Sequence, residues 1–322
     1  MVMRRRALLA APTLLALPAR AQAFPVRPVR IIIPFAPGGG VDLLARAAAV
    51  ALSQHWGQPV VVENRAGAGG IIGTEAVVRA PADGYTLLGT VNQTITSARF
   101  MYRALPYDPD RDLQPLCLMV QADQMIVAHP DVPVTDLKSL IALARAEPGK
   151  LTYGSFGIGT QPQLVMETLN RHEGLDILHV PYNGVAPLLV AATRGEVMLT
   201  TASAGVAGEL LRAGRLKALA NAGARRQGQF PAVPTTTEQG APWLQASIWY
   251  AMFTPTGTPP EVAQKIGDDL RAVLRDPVFA ERQATSKGLD LIASSGEHLG
   301  QVIRDEVPLV QQMIRAARIE PQ

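Results

Sequence analysis

Apolar and polar positions along this chain switch period repeatedly between that of a strand and that of a helix. Residues 29–35 read VRIIIPF, a β-branched run of strand length, and Pro37-Gly38-Gly39-Gly40 breaks it. From residue 42 to 54 the apolar side chains instead recur at helical spacing. The unit then repeats. Val60-Val61-Val62 predicts a second strand, residues 67–70 a glycine-rich break, and residues 71–79 a second helix. Asp83-Gly84 marks a turn and residues 85–90 a third strand. Such alternation predicts a mostly parallel sheet covered by helices.

The pattern restarts beyond a Pro- and Asp-rich connection at residues 106–115. Residues 116–128 form one long apolar stretch, able to run from one half of the molecule into another. A helix is predicted at 136–146, ended by Pro148-Gly149. Short strands follow at 151–154, 177–180, 197–201 and 216–220, with helices between them. Residues 225–242 are rich in Gly, Pro and Thr and read as an extended surface loop. A strand at 248–254 and helices at 259–275 and 298–317 complete the chain. Two strand–helix series joined by apolar strands predict an α/β protein of two lobes, with mostly parallel central sheets flanked by helices. Residues 24–120 plus 250–322 are assigned to lobe 1 and residues 121–249 to lobe 2.

The first 23 residues stand apart from this pattern. Arg4, Arg5 and Arg6 precede a short apolar stretch at 7–17, and Ala21-Gln22-Ala23 has the small-x-small form of a signal-peptidase site. The stretch is too short for a bilayer core, which needs about 20 helical residues. Export is therefore expected, by the general secretory or the twin-arginine route, into the periplasm. Cleavage after Ala23 would leave 26 basic against 27 acidic residues, so the basic character of the precursor belongs to its signal. A nucleic-acid partner then loses its electrostatic basis. Cys117 is the single cysteine, which excludes an intramolecular disulfide. Nothing later in the chain is apolar for long enough to span a membrane.

Ligands of open α/β sheets settle where strands hand over to helices, so the chemistry is sought at those turns. The first turn, Phe35-Ala36-Pro37-Gly38-Gly39-Gly40-Val41-Asp42, has three glycines that let a ligand approach the backbone, followed by a helix start with unpaired N–H groups. That is an anion site built without lysine. Asp42 suits a helix cap or a partner for a ligand ammonium or waters. Thr90 closes the third strand. A second glycine turn, with Ser155, Gly157, Gly159 and Thr160, repeats the arrangement, so that two helix starts would grip a carboxylate as a pincer. Tyr182 and Asn183 end a further strand, where they can meet the ligand's distal end. Neither turn ends in the Gly-Lys-[Ser/Thr] of a phosphate loop, and neither completes G-x-G-x-x-G. The five histidines show no metal spacing and Ser155 lacks the G-x-S-x-G elbow, so no cofactor, no metal and no catalysis are expected, although a Ser155–His179 pair leaves a hydrolase as the rival reading.

Taken in order, RPVRIIIPFAPGGGVDLLAR (27–46), GQPVVVENRAGAGGIIGTEAV (57–77), DGYTLL (83–88), YGSFGIGT (153–160), HVPYNG (179–184), RLKALA (215–220), VPTTTEQG (233–240) and TPTGTPPEV (254–262) resemble the Bug family, also called TctC-like substrate-binding proteins of tripartite tricarboxylate transporters. The resemblance implies a Venus-flytrap fold of the type II periplasmic class with two crossover strands. It implies capture of a small organic acid (a di- or tricarboxylate, an amino acid or an aromatic carboxylate) at positions matching 35–42 and 155–160, and membrane transporter subunits as partners; a sensor role is the alternative. Two positions depart from the family pattern. Gln163-Leu164 stands where a His-Leu pair is frequent, and Met198 where an Asp is common. The second departure favours a ligand without a charged amine.

Overall fold

A computed structural model describes residues 24–316 and 320–321; the expected signal peptide, residues 1–23, lies outside them. Strand β1 (Val29–Ile33) buries every side chain except that of Arg30, as a strand covered on both faces requires. It pairs in parallel with β2 (Val60–Asn64) and β3 (Thr86–Val91). Helix α1 (Gly40–Trp56) makes the first crossover, burying Leu44, Ala48 and Leu52 along one face and stopping on Gly57, whose φ of 64° is left-handed. Helix α2 (Ile71–Val78) makes the second. Two four-residue helices, α3 (Ala98–Met101) and α4 (Pro109–Asp112), lead into β4 (Leu113–Asp123). The long apolar stretch is two strands rather than one: β4 stops at Asp123 and β5 (Met125–Ala128) starts in the other sheet, with Gln124 between them.

The second series holds α5 (Leu137–Ala146), β6 (Thr152–Ser155), α6 (Gln161–Glu173), β7 (Leu178–Pro181), α7 (Val185–Thr193), β8 (Leu199–Ala202), α8 (Ala204–Arg212) and β9 (Lys217–Asn221). Residues 222–246 return the chain to β10 (Ser247–Pro255), followed by α9 (Pro260–Arg275), α10 (Pro277–Gln283), β11 (Asp290–Leu291) and α11 (Gly296–Ala316). One sheet has six strands in the order β11-β4-β10-β3-β1-β2, the other five in the order β7-β6-β8-β5-β9. Both are mixed rather than mostly parallel. The strands that carry the chain between sheets are the ones that run antiparallel to their neighbours: β4 and β10 in the first sheet, β5 against β8 and β9 in the second.

Three backbone hydrogen bonds tie the crossings together. The Gln124 N–H donates to Ala246 O at 3.1 Å, the Ala222 N–H to Gln124 O at 2.7 Å, and the Ala246 N–H to Ala222 O at 2.9 Å. A second contact between the halves lies beside α6. There Leu164 packs with Met101 and with Val310 and Ile314 of α11.

Candidate functional site

The glycine turn after β1 is held in shape by a buried carboxylate. Asp42, 1 % exposed, accepts the Gly38 N–H at 2.9 Å, the Asn64 amide at 2.9 Å and Arg46 Nε at 3.1 Å. Burial acts to raise its pKa, but the bonds from Arg46, Gly38 and Asn64 outweigh that and hold it below the ordinary 3.8. Both carboxylate oxygens are thus committed to protein donors. Gly38 has φ of 92°, which a side chain would oppose. Gly39 is the N-cap of α1, and no side chain caps it. The first-turn N–H groups therefore lack an intrahelical acceptor and carry the positive end of a seventeen-residue helix.

This helix start opens onto a cavity between the two sheets. Phe35, Ala36, Gly39, Gly40 and Val41 line it from the first turn. The α7 start closes over that turn, since a Cβ on Gly39 would lie 3.8 Å from Val185 Cβ and one on Gly38 3.6 Å from Ala186 Cβ. Val185 and Leu188 of α7, Ser203 before α8, and Gln124 at the strand crossing line the second half. Tyr250 stands at the floor, so near Gly40 that a Cβ there would overlap its hydroxyl. Burial pushes the Tyr250 phenol up to about 12, so it is neutral at physiological pH. Among the described residues that line the cavity, none carries a charge.

The second glycine turn is placed differently. Of its residues only Phe156 lines the cavity, its ring edge-on to Phe35 at 6.4 Å. Gly157 lies against Gly69, and the Gly159 carbonyl accepts from Ser97 Oγ at 2.8 Å. Thr160 Oγ1 donates back to Gly157 O at 2.7 Å. Next to it, Gln161 Nε2 donates to Ser247 O at 2.7 Å. This turn thus contacts the opposite half directly. Ser155 is fully buried and bonds His179 Nε2 at 2.7 Å. Burial depresses His179 from 6.5 to about 4, leaving it neutral at physiological pH. Thr90 is buried and bonds Thr94 at 2.8 Å, while Tyr182 is half-buried and Asn183 exposed; none of the three lines the cavity.

Sequence reasoning passed over Gln124, Val185, Leu188, Ser203 and Tyr250. Ser203 had a readable signal, since a serine between the 197–201 strand and a helical pattern is a helix-start signature. Gln124 and Tyr250 had none, because their place depends on how two distant crossings pair.

A crevice between two α/β sheets joined by paired crossing strands defines a two-lobed periplasmic-binding-protein fold. The chain belongs to the tripartite tricarboxylate transporter family receptor group (TctC), whose family model matches residues 44–319. It is 38 % identical over 304 residues to a UPF0065 protein of Bordetella pertussis, covering 94 % of each chain. It is 35 % identical to protein BugT of the same organism, over 91 % of this chain and 90 % of the relative. Among solved structures it superposes on an R. palustris protein with adipate, with a TM-score of 0.89 and 31 % identity, over 93 % of this chain and 100 % of that one. MatC of Rhodopseudomonas palustris with bound malate gives a TM-score of 0.86 and 29 % identity, over 90 % and 100 %. No helix among the described residues is long and apolar enough to cross a membrane.

Proposed function

We propose that this protein is an exported periplasmic receptor that captures a small carboxylate in the crevice and delivers it to the membrane subunits of a tripartite tricarboxylate-type transporter. The observation that carries the reading is the uncapped start of α1 opening onto a cavity without charged side chains. An anion there is bound by backbone N–H groups and the helix dipole, in a site from which closing lobes exclude water, so that each charge-assisted bond strengthens. The adipate and malate found in related structures support a small organic acid as ligand. Lobe 1 carries the six-stranded sheet and lobe 2 the five-stranded one, hinged where Gln124, Ala222 and Ala246 meet. The acid leaves unchanged: the Ser155–His179 pair is the nearest thing to a catalytic constellation, and Ser155 is closed to solvent.

The test is a thermal-shift screen of ligand-free protein against mono-, di- and tricarboxylates, amino acids and aromatic acids. At a hundredfold excess over Kd, binding adds about 2.7 kcal/mol and raises Tm by several degrees. A selective shift with the acid recovered intact is the expected result. Absence of a shift with every carboxylate, or turnover of a bound acid, would refute the reading.

A further inference from the structure

Helix α11 turns the half-buried carboxylate of Glu306 toward the end of β3 and the start of β10. Its oxygens meet only neutral donors. Trp249 Nε1 donates to one, and the Asn92 amide at 2.8 Å and Thr96 Oγ1 at 3.3 Å donate to the other. Burial raises this carboxyl above its ordinary 4.5, although the three bonds act to lower it. The charged groups on the elements around it are engaged elsewhere: Arg304 and Asp305 of α11 with Gln301, Arg99 of α3 with Asp110, Glu75 of α2 with Arg79, and Glu167 of α6 with Tyr153. Asp123, at the end of β4, lies against Gly223. The buried Tyr107 hydroxyl donates to Thr94 O at 2.9 Å. β10 and the turn after β3 carry no charged residue.

The carboxylate thereby holds a joint between the crevice wall and the second half. Val91, Ile248 and Tyr250 line the cavity; Asn92 follows the first, and Trp249 separates the other two. The Asn92 amide that donates to Glu306 also reaches Ser247 O at 3.4 Å. That same carbonyl accepts Gln161 Nε2 from the start of α6 at 2.7 Å, a bond between the halves. Asn92 Oδ1, in contrast, is buried and accepts no hydrogen bond, which is rare for such a group. It is the acceptor that a protonated Glu306 needs. A carboxylic O–H cannot bond the N–H that faces it, so the amide must turn over and offer its oxygen. The turned oxygen would then face the Ser247 carbonyl, acceptor against acceptor, where an N–H stood before.

We propose that Glu306 is a proton-operated positioning residue of the crevice. Ionised, it fixes the Asn92 amide so that the Ser247 carbonyl holds both Asn92 and Gln161, and the halves close on the bound acid. Protonated, it turns the Asn92 amide, displaces the Ser247 carbonyl and frees Gln161, and the acid is released. A raised carboxyl pKa means that the folded chain takes this proton more readily than the unfolded one, so the change is local and not an unfolding. The inference rests on the reading of the crevice as a carboxylate site, and the experiment separates the two.

Two readouts test it on the exported protein freed of co-purified ligand. In a Trp56→Phe, Trp243→Phe background, Trp249 emission is followed without ligand from about pH 8 to about pH 4.5. One transition is expected, and Glu306→Gln abolishes it. Calorimetric titration over the same range then uses adipate, malate and the other acids of the panel. Below the transition the parent's Kd rises, approaching about tenfold per pH unit beyond any rise in Glu306→Gln, because only the ionised fraction binds. Glu306→Gln, whose amide mimics the protonated acid, has a Kd raised about tenfold already at about pH 8. Trp249→Phe removes a donor that favours the ionised form, so it moves the onset of the rise to higher pH; this outcome is readable even where Glu306→Gln does not fold. An absent transition, one that persists in Glu306→Gln, parallel pH profiles of the two proteins, or an onset unmoved by Trp249→Phe overturns the inference and leaves the carboxylate reading standing. Failure of every acid to bind the parent at any pH overturns both.

Discussion

Gly40→Ala puts the architecture of the site to a quantitative test. Gly40 opens α1 in ordinary helical conformation, so backbone strain does not enter, and alanine would gain up to about 1 kcal/mol from helix propensity. Space decides the sign. The added Cβ overlaps the Tyr250 hydroxyl and stands 2.9 Å from Cζ, inside the 3.0 Å that real Cβ contacts essentially never breach. Tyr250 is 3 % exposed on β10, a strand held between β3 and β4, so its backbone is fixed and relief requires the ring to turn into the cavity. Overpacking of this kind costs about 1–3 kcal/mol. The net expectation is a loss of about 1–2 kcal/mol, a Tm lower by roughly 2–6 °C, and weaker carboxylate binding because the cavity floor shifts. Gly39→Ala is the internal control: its Cβ would meet Val185 at an ordinary 3.8 Å with φ of −74°, so only the N-cap preference for glycine over alanine, about 0.5–1 kcal/mol, should be lost. Tyr250→Phe, which removes the overlapped oxygen, should restore part of the loss in the Gly40→Ala background. Thermal and urea melts of the four proteins, with titration of one bound acid, make the measurement. A Gly40→Ala protein at least as stable as the parent, with unchanged affinity, would refute the reasoning.

Three further outcomes are expected. Asp42→Asn replaces an acceptor by a donor facing the donors Gly38, Asn64 and Arg46; it should cost about 2–3 kcal/mol in a urea melt and weaken ligand binding as the glycine turn loosens. His179 stays neutral in the folded state down to about pH 4 but takes a proton near 6.5 when unfolded, so protonation favours unfolding and stability falls as pH drops from 6.5 toward 4, by at most about 3 kcal/mol. His179→Asn should lose less stability between pH 7 and 4.5, as urea midpoints at the two pH values will show. Ser97→Ala with Gln161→Ala removes two bonds that join the halves beside α6, at 2.8 and 2.7 Å; the ligand Kd should rise several-fold and small-angle scattering of the ligand-free protein should report a larger radius of gyration.

The local elements were legible because their signals are local. The β-branched run at β1, the glycines that end it and the apolar stripe of α1 each act over a few residues, and all appear where the pattern put them. The same locality singled out the first glycine turn, which opens onto the crevice. The parallel sheets expected from strand–helix alternation are mixed, because the strands that bridge the halves enter the partner sheet in the opposite sense. The break at Gln124 was hidden inside a mostly apolar stretch that Gln121 and Asp123 also interrupt. One polar residue carries no period, and its backbone partners, Ala222 and Ala246, lie about a hundred residues away.

The sequence by itself determined the lobed α/β class, the family and one wall of the crevice, since backbone propensity, turn chemistry and apolar periodicity are written residue by residue. Only the tertiary structure decided which second-half residues face that wall. It sent the second glycine turn to the contact with Gly69 and Ser97, and it brought Ser203 and Tyr250 to the cavity in its place. The physical reason is that facing positions across a crevice are fixed by the packing of two sheets through a hinge, and that packing sums weak contacts among residues far apart in the chain.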